Sequence, residues 1–288
     1  MAVSYEFNIF FKKEIPAQSE LLFCLLENLG ISKREVVEIR ENDSKRICFF
    51  VGKAKKTHRL KRQIRLLRLR GIKIVVNRLE NRQWQMRWKQ ELEPFNITKA
   101  IRVVPYWKKS KQTNYRKNTI FIDTDKVFGT GHHPTTRFIA QFIQAKKGKF
   151  KSFLDIGTGT GILLIIAKYL GGKILYGIDN DPKAIATARI NLKLNSVKVG
   201  YLKCVDLKDF APESRFDFVA VNLTTEDLIN YRKKIATFIK PGGYLAVSGI
   251  SLKKYNFFRD NFKSKKMKCL LIRKAEGWCG LLYKLKLN

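Results

Sequence analysis

The stretch Phe153-Leu-Asp-Ile-Gly-Thr-Gly-Thr-Gly-Ile162 indicates how most of the chain folds. An apolar strand ends at Asp155, three glycines alternate with threonines, and an apolar helix follows. Glycine is required in such a turn when the backbone bends sharply and a ligand approaches it closely. The stretch therefore predicts a strand-turn-helix unit with a ligand at the turn, although a tight turn without a ligand would show the same pattern.

The spacing of these glycines bears on the kind of ligand. A dinucleotide fingerprint, GxGxxG, would have its third glycine at the position of Ile162. A nicotinamide or flavin cofactor is therefore disfavoured. S-adenosylmethionine has no pyrophosphate to seat on a helix N-terminus, and the looser GxGxG loop suits it. We expect S-adenosylmethionine as the cofactor.

An acidic residue after the next strand supports a nucleoside ligand. The β-like run at 173–178 ends in Asp179, about 20 residues after the glycines, where a carboxylate commonly holds a ribose diol. Asp181 is a nearby competitor, but it precedes a proline and fits the N-cap of the following helix. We expect Asp179 to bind the ribose. Asp206, after a third strand, is either an adenine-side acid or a loop residue.

The order of the later segments indicates a parallel sheet. Strand-like and helical runs alternate, as they do when crossover helices cover such a sheet. A fourth strand ends in Asn222, which should face the crevice outside the carboxyl ends of the strands. Segments 269–273 and 278–285 should form a closing antiparallel hairpin. We predict an α/β fold over 101–288: a Rossmann-like class I methyltransferase domain, doubly wound, with a mostly parallel seven-stranded sheet.

The first 80 residues have a different pattern. Strands and helices follow in the order βαββαβ, which is the split ferredoxin-like motif. The second helix, expected from about Ala54 to Arg70, carries eight basic residues and no acidic one. We predict a small ferredoxin-like α+β domain over 1–80. A helical linker is expected over 81–100, with Trp84 and Trp88 on one face.

Charge and cysteine content bound the partners and the compartment. The 288 residues include 58 basic and 24 acidic ones, a formal charge of +34, which favours an anionic partner such as nucleic acid. Solvated lysine faces would explain the excess equally well, because it is spread along the chain. Five cysteines without a CxxC pair and three histidines predict a reducing cytoplasm and no metal site. Without a secretory signal or a run of about 18 apolar residues, we expect no membrane contact.

A second motif, Val127-Phe-Gly-Thr-Gly-His-His-Pro-Thr-Thr136, precedes the glycine loop. It resembles the FGTGxHPTT signature of the methyltransferases that modify ribosomal large-subunit protein eleven, the PrmA family. By motif the resemblance covers roughly residues 80–285, whereas the first 80 residues match only in predicted topology. Other similar landmarks are Trp84, Trp88-Lys89, Pro94, Ile97, Ile101, Pro105-Tyr-Trp107, Asn222-Leu223, Ser248-Gly249-Ile250 and Gly277-Trp278.

The resemblance implies roles for particular residues. Asn222 would be the catalytic residue beside the transferred methyl group, and Phe128 would either stack near the adenosyl group or belong to the core. His133 is interpreted as a capping or core histidine rather than a catalytic one. The chain departs from the family at His132, in the GTGTG loop and before the signature. Carried onto this sequence, the cofactor-binding residues are Thr136, Gly157, Gly159, Asp179, Asn222 and Phe128.

The resemblance also implies a reaction and a substrate. The expected enzyme is an S-adenosylmethionine-dependent protein-lysine N-methyltransferase acting on amino groups of a large-subunit ribosomal protein: lysine side chains, with the N-terminal amine as a further candidate. The resemblance assigns substrate recognition to the domain over 1–80, whose basic helix at 54–70 could contact ribosomal RNA. An RNA methyltransferase, a lysine methyltransferase of another protein and a degenerate RNA-binding protein remain alternatives. The absence of an Asn-Pro-Pro-Tyr step at Asn222 opposes the first of these. The oligomeric state is open, with a monomer favoured.

Overall fold

A computed structural model describes the chain in several ranges: 3–11, 16–29, 31, 36–41, 44–51, 54–80, 93–109, 115, 118–123 and 131–287. The chain divides into two compact units, Met1–Leu92 and Glu93–Asn288. The helical linker expected at 81–92 and the expected site residue Phe128 lie outside the described residues.

The described residues of the first unit form a four-stranded sheet and two helices. The strands follow the order β2-β3-β1-β4, and every neighbouring pair is antiparallel. This is the ferredoxin-like arrangement, so the fold predicted from the βαββαβ order is confirmed. The elements are β1 (Val3–Phe11), α1 (Pro16–Asn28), β2 (Val37–Glu41), β3 (Ser44–Val51), α2 (Ala54–Leu66) and β4 (Ile72–Glu80).

One face of this sheet packs against both helices. Phe7, Ile9 and Phe11 of β1 all face this core, because the side chains of a strand point to opposite faces in turn. Helix α2 ends at Leu66, four residues before the predicted end, because Leu67 and Arg68 bond to carbonyls only three residues back and Arg68 turns to φ 46°. The buried cluster includes Phe7, Ile9, Phe11, Leu22, Leu26, Ile47, Phe49, Leu60 and Ile64.

The second unit begins with a small sheet that the sequence did not predict. Strand β5 (Phe95–Asn96) is antiparallel to β6 (Arg102–Pro105), which is parallel to β7 (Thr119–Ile122). Residues 93–100, expected at the end of the linker, therefore belong to this unit. Ile97 is buried there, and its N–H donates to the Ile101 carbonyl.

A seven-stranded sheet forms the rest of this unit. Its order is β10-β9-β8-β11-β12-β14-β13, with parallel pairing from β10 to β12 and antiparallel pairing of β14 with both of its neighbours. The predicted mostly parallel sheet and its closing hairpin are confirmed. The elements are α3 (Pro134–Ala145), β8 (Ser152–Ile156), α4 (Ile162–Tyr169), β9 (Ile174–Asp179), α5 (Pro182–Leu194), β10 (Tyr201–Cys204), β11 (Phe216–Asn222), α6 (Thr225–Asn230), α7 (Arg232–Thr237), β12 (Ile239–Ser251), α8 (Tyr255–Asn261), β13 (Met267–Ala275) and β14 (Trp278–Leu285).

Both faces of the large sheet are covered, as a doubly wound fold requires. On one face Phe153 of β8 stacks on Phe218 of β11, with ring centroids 5.4 Å apart, and packs with residues of α3 and α4. On the other face Leu154 and Val219 pack with residues of α6, α7 and α8. Adjacent residues of one strand, such as Phe153 and Leu154, therefore pack in the hydrophobic clusters on opposite faces of the sheet.

The strand order places a crevice at one edge of the sheet. The chain runs from β8 outward to β9 and β10, and then returns to the other side of β8 as β11. Ligands of doubly wound sheets bind where this order reverses, outside the carboxyl ends of the strands. Asp179 and Asn222 are the last residues of β9 and β11 at that edge. No helix in the described residues is long and apolar enough to cross a membrane.

Candidate functional site

The glycine loop joins β8 to α4. Gly157, Gly159 and Gly161 have φ values of 72°, 54° and 77°, in the left-handed region where a Cβ is disfavoured. The backbone N–H groups of Gly157 and Thr158 both donate to the carbonyl oxygen of Ile178 at 2.9 Å. The loop is therefore shaped by its own backbone and attached to the end of β9.

Asp179 faces this loop from the end of β9. One carboxylate oxygen accepts the Gly159 N–H at 2.9 Å, and the other accepts the Asp181 N–H at 3.0 Å. Two backbone donors thus orient the carboxylate, while each oxygen retains capacity for a further donor. Asp181 instead accepts the Lys183 N–H and caps α5, as predicted.

Asp155 lies fully buried beneath the loop. Burial raises the pKa of Asp155 to about 7; a hydrogen bond from the Thr158 hydroxyl opposes this rise, and the nearby Asp179 carboxylate adds to it. The second oxygen of Asp155 has no hydrogen-bond partner among the described residues. A carboxyl group with this pKa is partly neutral near pH 7, which limits repulsion of Asp179.

The step from Asn222 to Leu223 packs between two glycines. A Cβ on Gly157 would lie 3.1 Å from Leu223 Cδ2 and 3.9 Å from the backbone oxygen of Asn222. Gly249, with φ 95°, is so close on the other side that a Cβ there would overlap the Leu223 carbonyl oxygen. The end of β11 is therefore held directly beside the glycine loop.

The start of α3 brings the end of the signature to Asn222. His133 is the N-cap of this helix and accepts the Thr135 N–H, with Pro134 at the first helical position. Thr135 Oγ1 lies 2.7 Å from His133 Nδ1 and accepts a hydrogen bond from Asn222 Nδ2 at 3.3 Å. Burial lowers the pKa of His133, whose ring stands edge-on to Trp278. The capping interpretation of His133 is confirmed.

Thr136, the expected cofactor-contacting threonine, follows directly on α3. It is buried, and its hydroxyl has no hydrogen-bond partner among the described residues. Because buried polar groups are normally satisfied, such a hydroxyl is a candidate for contact with a ligand.

Gly131 and His132 of the signature pack on the small sheet of β5, β6 and β7. Gly131 has φ 88°, and a Cβ on it would lie 2.9 Å from Ile162 Cδ1 and 3.1 Å from Phe95 Cζ. The ring of His132 lies 3.7 Å, centroid to centroid, from that of Phe95. The strand β5 therefore helps to place the start of α3 beside the first residue of α4.

Two asparagines, Asn191 of α5 and Asn195 at its C-cap, hold the end of β7. Asn195 accepts the Phe121 N–H at 2.8 Å and donates to the Phe121 carbonyl at 2.6 Å. Asn191 pairs in the same way with Asp123, at 2.7 and 2.8 Å, and also donates to the Thr160 carbonyl at 2.9 Å. These side chains replace a neighbouring strand and connect β7 to the glycine loop.

The described residues of the expected site converge on the carboxyl edge of the sheet. Gly157, Gly159, Asp179 and Asn222 lie at the ends of β8, β9 and β11, and Thr136 follows the residue that bonds Asn222. Asp206 accepts the Lys208 N–H with one carboxylate oxygen, in the loop that follows β10. Sequence reasoning did not assign roles to Thr135, Gly249 or Asn191. Thr135 and Gly249 do lie in motifs similar to the family's, and this could have singled them out.

The reversal of strand order at the glycine loop, together with the hairpin that closes the far edge, defines a Rossmann-like class I methyltransferase fold. The crystal structure of a ribosomal protein L11 methylase from Lactobacillus delbrueckii subsp. bulgaricus shares this fold, with a TM-score of 0.60 and 24% identity. The alignment covers 68% of this chain and 100% of that one. The family model named "Ribosomal protein L11 methyltransferase (PrmA)" matches residues 25–286, and the chain belongs to this family.

Curated relatives agree with this assignment. A ribosomal protein L11 methyltransferase of Bacillus licheniformis is 30% identical over 213 residues, which is 74% of this chain and 68% of the relative. One from Burkholderia orbicola is 36% identical over 178 residues, 62% of this chain. The match spans only 57% of the length of the Burkholderia relative.

Proposed function

We propose that this chain transfers methyl groups from S-adenosylmethionine to amino groups of a large-subunit ribosomal protein. The observation that carries the proposal is the packing of the Asn222–Leu223 step against Gly157. It puts a side-chain amide, suited to holding an amine, directly beside a loop suited to holding a nucleoside. The names of the curated relatives support the ribosomal protein substrate.

The residues at the crevice fit this cofactor. Gly157, with φ 72°, forms the tight turn of the loop and admits the Leu223 side chain, and the Asp179 carboxylate can accept hydrogen bonds from ribose hydroxyls. The buried Thr136 hydroxyl, without a partner among the described residues, offers a polar contact. When bound, the cofactor supplies an electrophilic methyl group on a sulfonium centre.

The chain's own residues would act by positioning the amine. A lysine amine has an ordinary pKa near 10.4, so it is mostly protonated at neutral pH and must lose a proton to water before it can react. Desolvation at the crevice favours the neutral form. Asn222 Oδ1 can accept a hydrogen bond from the neutral amine and aim its lone pair. Orientation of this kind can supply about 7–11 kcal/mol.

We also propose that the first unit holds the substrate. The described face of α2 exposes Arg59, Arg62 and Arg65, and no acidic residue occurs in this helix. Such a face can contact RNA phosphates near the ribosomal protein, because those contacts require only positive charge. A cytoplasmic location and a monomeric state complete the proposal; the former is supported by the five cysteines, none of which forms a disulfide bond.

Labelled S-adenosylmethionine tests the proposed reaction. The chain is incubated with unmodified large ribosomal subunits, and the proteins and the RNA are then analysed separately by mass spectrometry. We expect methylated lysine or N-terminal amine in one ribosomal protein, and much less of it with Asn222→Ala. Label in the RNA alone would establish the RNA methyltransferase alternative instead. Binding of the cofactor without any transfer to ribosomal material would exclude a ribosomal substrate.

A further inference from the structure

A buried hydroxyl lies between the N-cap of α3 and the proposed catalytic amide. Thr135 is 1% exposed, and its Oγ1 is 2.7 Å from His133 Nδ1 and 3.3 Å from Asn222 Nδ2. Thr135 and Asn222 are 87 positions apart in the chain. The contact is therefore built by the tertiary fold and is not a consequence of local helix geometry.

The backbone N–H of Thr135 indicates the direction of the hydrogen bonds at His133, because a backbone N–H can only donate. The backbone N–H of Thr135 is always a donor, and it points at His133 Nδ1. This donor, 3.4 Å away, assigns the lone pair to His133 Nδ1, and burial, which lowers the pKa of His133, favours the neutral ring. The Thr135 hydroxyl, 2.7 Å from the same nitrogen, must then donate its proton to it.

This donation determines what the hydroxyl can offer on its other side. A threonine hydroxyl has one proton and two lone pairs. With the proton committed to His133, only lone pairs face Asn222, and these accept from the amide NH₂. The two ends of a carboxamide have nearly the same shape, so packing alone does not choose between them. The Thr135 hydroxyl selects the orientation in which the NH₂ of Asn222 faces it.

We propose that Thr135 and His133 are positioning residues that fix the Asn222 amide with its NH₂ toward Thr135 and its Oδ1 toward the substrate amine. The inference rests on the methyl-transfer role proposed above for Asn222. If the amide rotated by half a turn, its NH₂ would face the hydrogens of the amine and could not accept from them. The hydroxyl thus preserves the acceptor that aims the amine lone pair.

Matched substitutions at Thr135 test this role. Thr135→Val keeps the size and removes the hydroxyl, whereas Thr135→Ser keeps the hydroxyl. We expect kcat of Thr135→Val to fall by about tenfold, as for the loss of one net hydrogen bond in the transition state. The calorimetric Kd for S-adenosylmethionine and KM for the protein substrate should stay near wild type. Thr135→Ser should recover most of the turnover.

The double variant Thr135→Val/Asn222→Ala separates this role from a general packing defect. If Thr135 acts only through Asn222, the double variant turns over no more slowly than Asn222→Ala alone. Full turnover in Thr135→Val, or additive losses in the double variant, would overturn the inference while leaving the proposed function intact. Full turnover in Asn222→Ala would remove the role of Asn222 itself, and the positioning role with it.

A second pair of variants approaches the same contact from His133, in case Thr135→Val does not fold. His133→Asn keeps a side-chain acceptor at the N-cap, whereas His133→Ala removes it. We expect His133→Asn to retain most of the wild-type kcat and His133→Ala to lose about as much as one net hydrogen bond, about tenfold. Equal kcat values for the two variants, with both folded by circular dichroism, would overturn the proposal.

Discussion

The glycine loop after β8 and the start of α3 both border the crevice, but different kinds of interaction hold them there. The loop is attached through backbone groups: two N–H groups bond the Ile178 carbonyl, and a third bonds Asp179. At the start of α3, side chains make the connection, with Thr135 between His133 and Asn222. Side-chain identity should therefore matter less in the loop than around Asn222.

The departures of this sequence from the family pattern agree with that difference. Threonines stand in the GTGTG loop where the family usually has cysteine and serine. The hydroxyl of Thr158 donates to Asp155, while the turn itself depends on glycine φ values. The four signature residues from His133 to Thr136 match the family without change.

The largest effect should come from Gly249→Ala, which disturbs the backbone of Leu223 next to Asn222. The new Cβ would overlap the Leu223 carbonyl oxygen in a left-handed conformation, so we expect a loss of about 3 kcal/mol or more in the free energy of unfolding. Chemical denaturation measures it. Gly277→Ala is the matched control. Gly277 has φ 78°, and no atom of the described residues lies within 4 Å of where its Cβ would be, so the variant should lose only about 1 kcal/mol. Equal losses in the two variants would contradict the close packing.

Asn222→Ala should separate turnover from cofactor binding. We expect kcat to fall by about 100-fold, because the amine loses its orienting acceptor, with little change in the calorimetric Kd for S-adenosylmethionine. Asn230→Ala, at the exposed end of α6, is the control. If Kd and kcat changed together, Asn222 would belong to the cofactor-binding half instead.

Asp179→Ala should have the opposite signature. Losing charged hydrogen bonds to the ribose should weaken S-adenosylmethionine binding by about 10–100-fold, measured by calorimetry. The neighbouring Asp181→Ala removes only the N-cap of α5 and should lower stability by about 1 kcal/mol without changing the affinity. Unchanged affinity of Asp179→Ala for S-adenosylmethionine would show that Asp179 does not bind the ribose.

The smallest effect is expected at Asp217, which joins the beginnings of β8 and β11 at the opposite edge of the sheet. Burial alone would raise the pKa of Asp217, but hydrogen bonds from Lys240, Ser152 and Lys151 lower it to about 2. A depressed folded-state pKa contributes stability above the ordinary value near 3.8, and this contribution is lost as the pH falls through about 2.

Urea denaturation of Asp217→Asn from pH 6 to pH 2 tests this contribution. At pH 6 the variant should be less stable by about 1–2 kcal/mol, less than the shift alone implies because the carboxylate is partly exposed to solvent. The difference from wild type should shrink as the pH falls from 4 to 2. A constant difference would show that ionisation of Asp217 plays no part.

Much of the fold could be predicted from residues that act locally. The βαββαβ order, the alternating segments of the second unit and the closing hairpin all follow from hydrophobic periodicity and turn residues. The short strands β5 and β6 were missed because two to four residues give too little periodicity, and the end of α2 depended on the backbone conformation of Arg68. Short elements take their stability from neighbours that a local pattern does not contain.

The site divides along the same line. The glycine loop, the position of Asp179 at the end of β9 and the cap at Asp181 could be predicted from the sequence alone, because their geometry depends on residues within about two elements of each other. Only the tertiary structure showed that Gly249 supports Leu223, that Asn191 links β7 to the loop, and that Thr135 bonds Asn222. Those contacts join segments up to 87 residues apart, and side-chain hydrogen bonds at such separations leave no periodic trace in a single sequence.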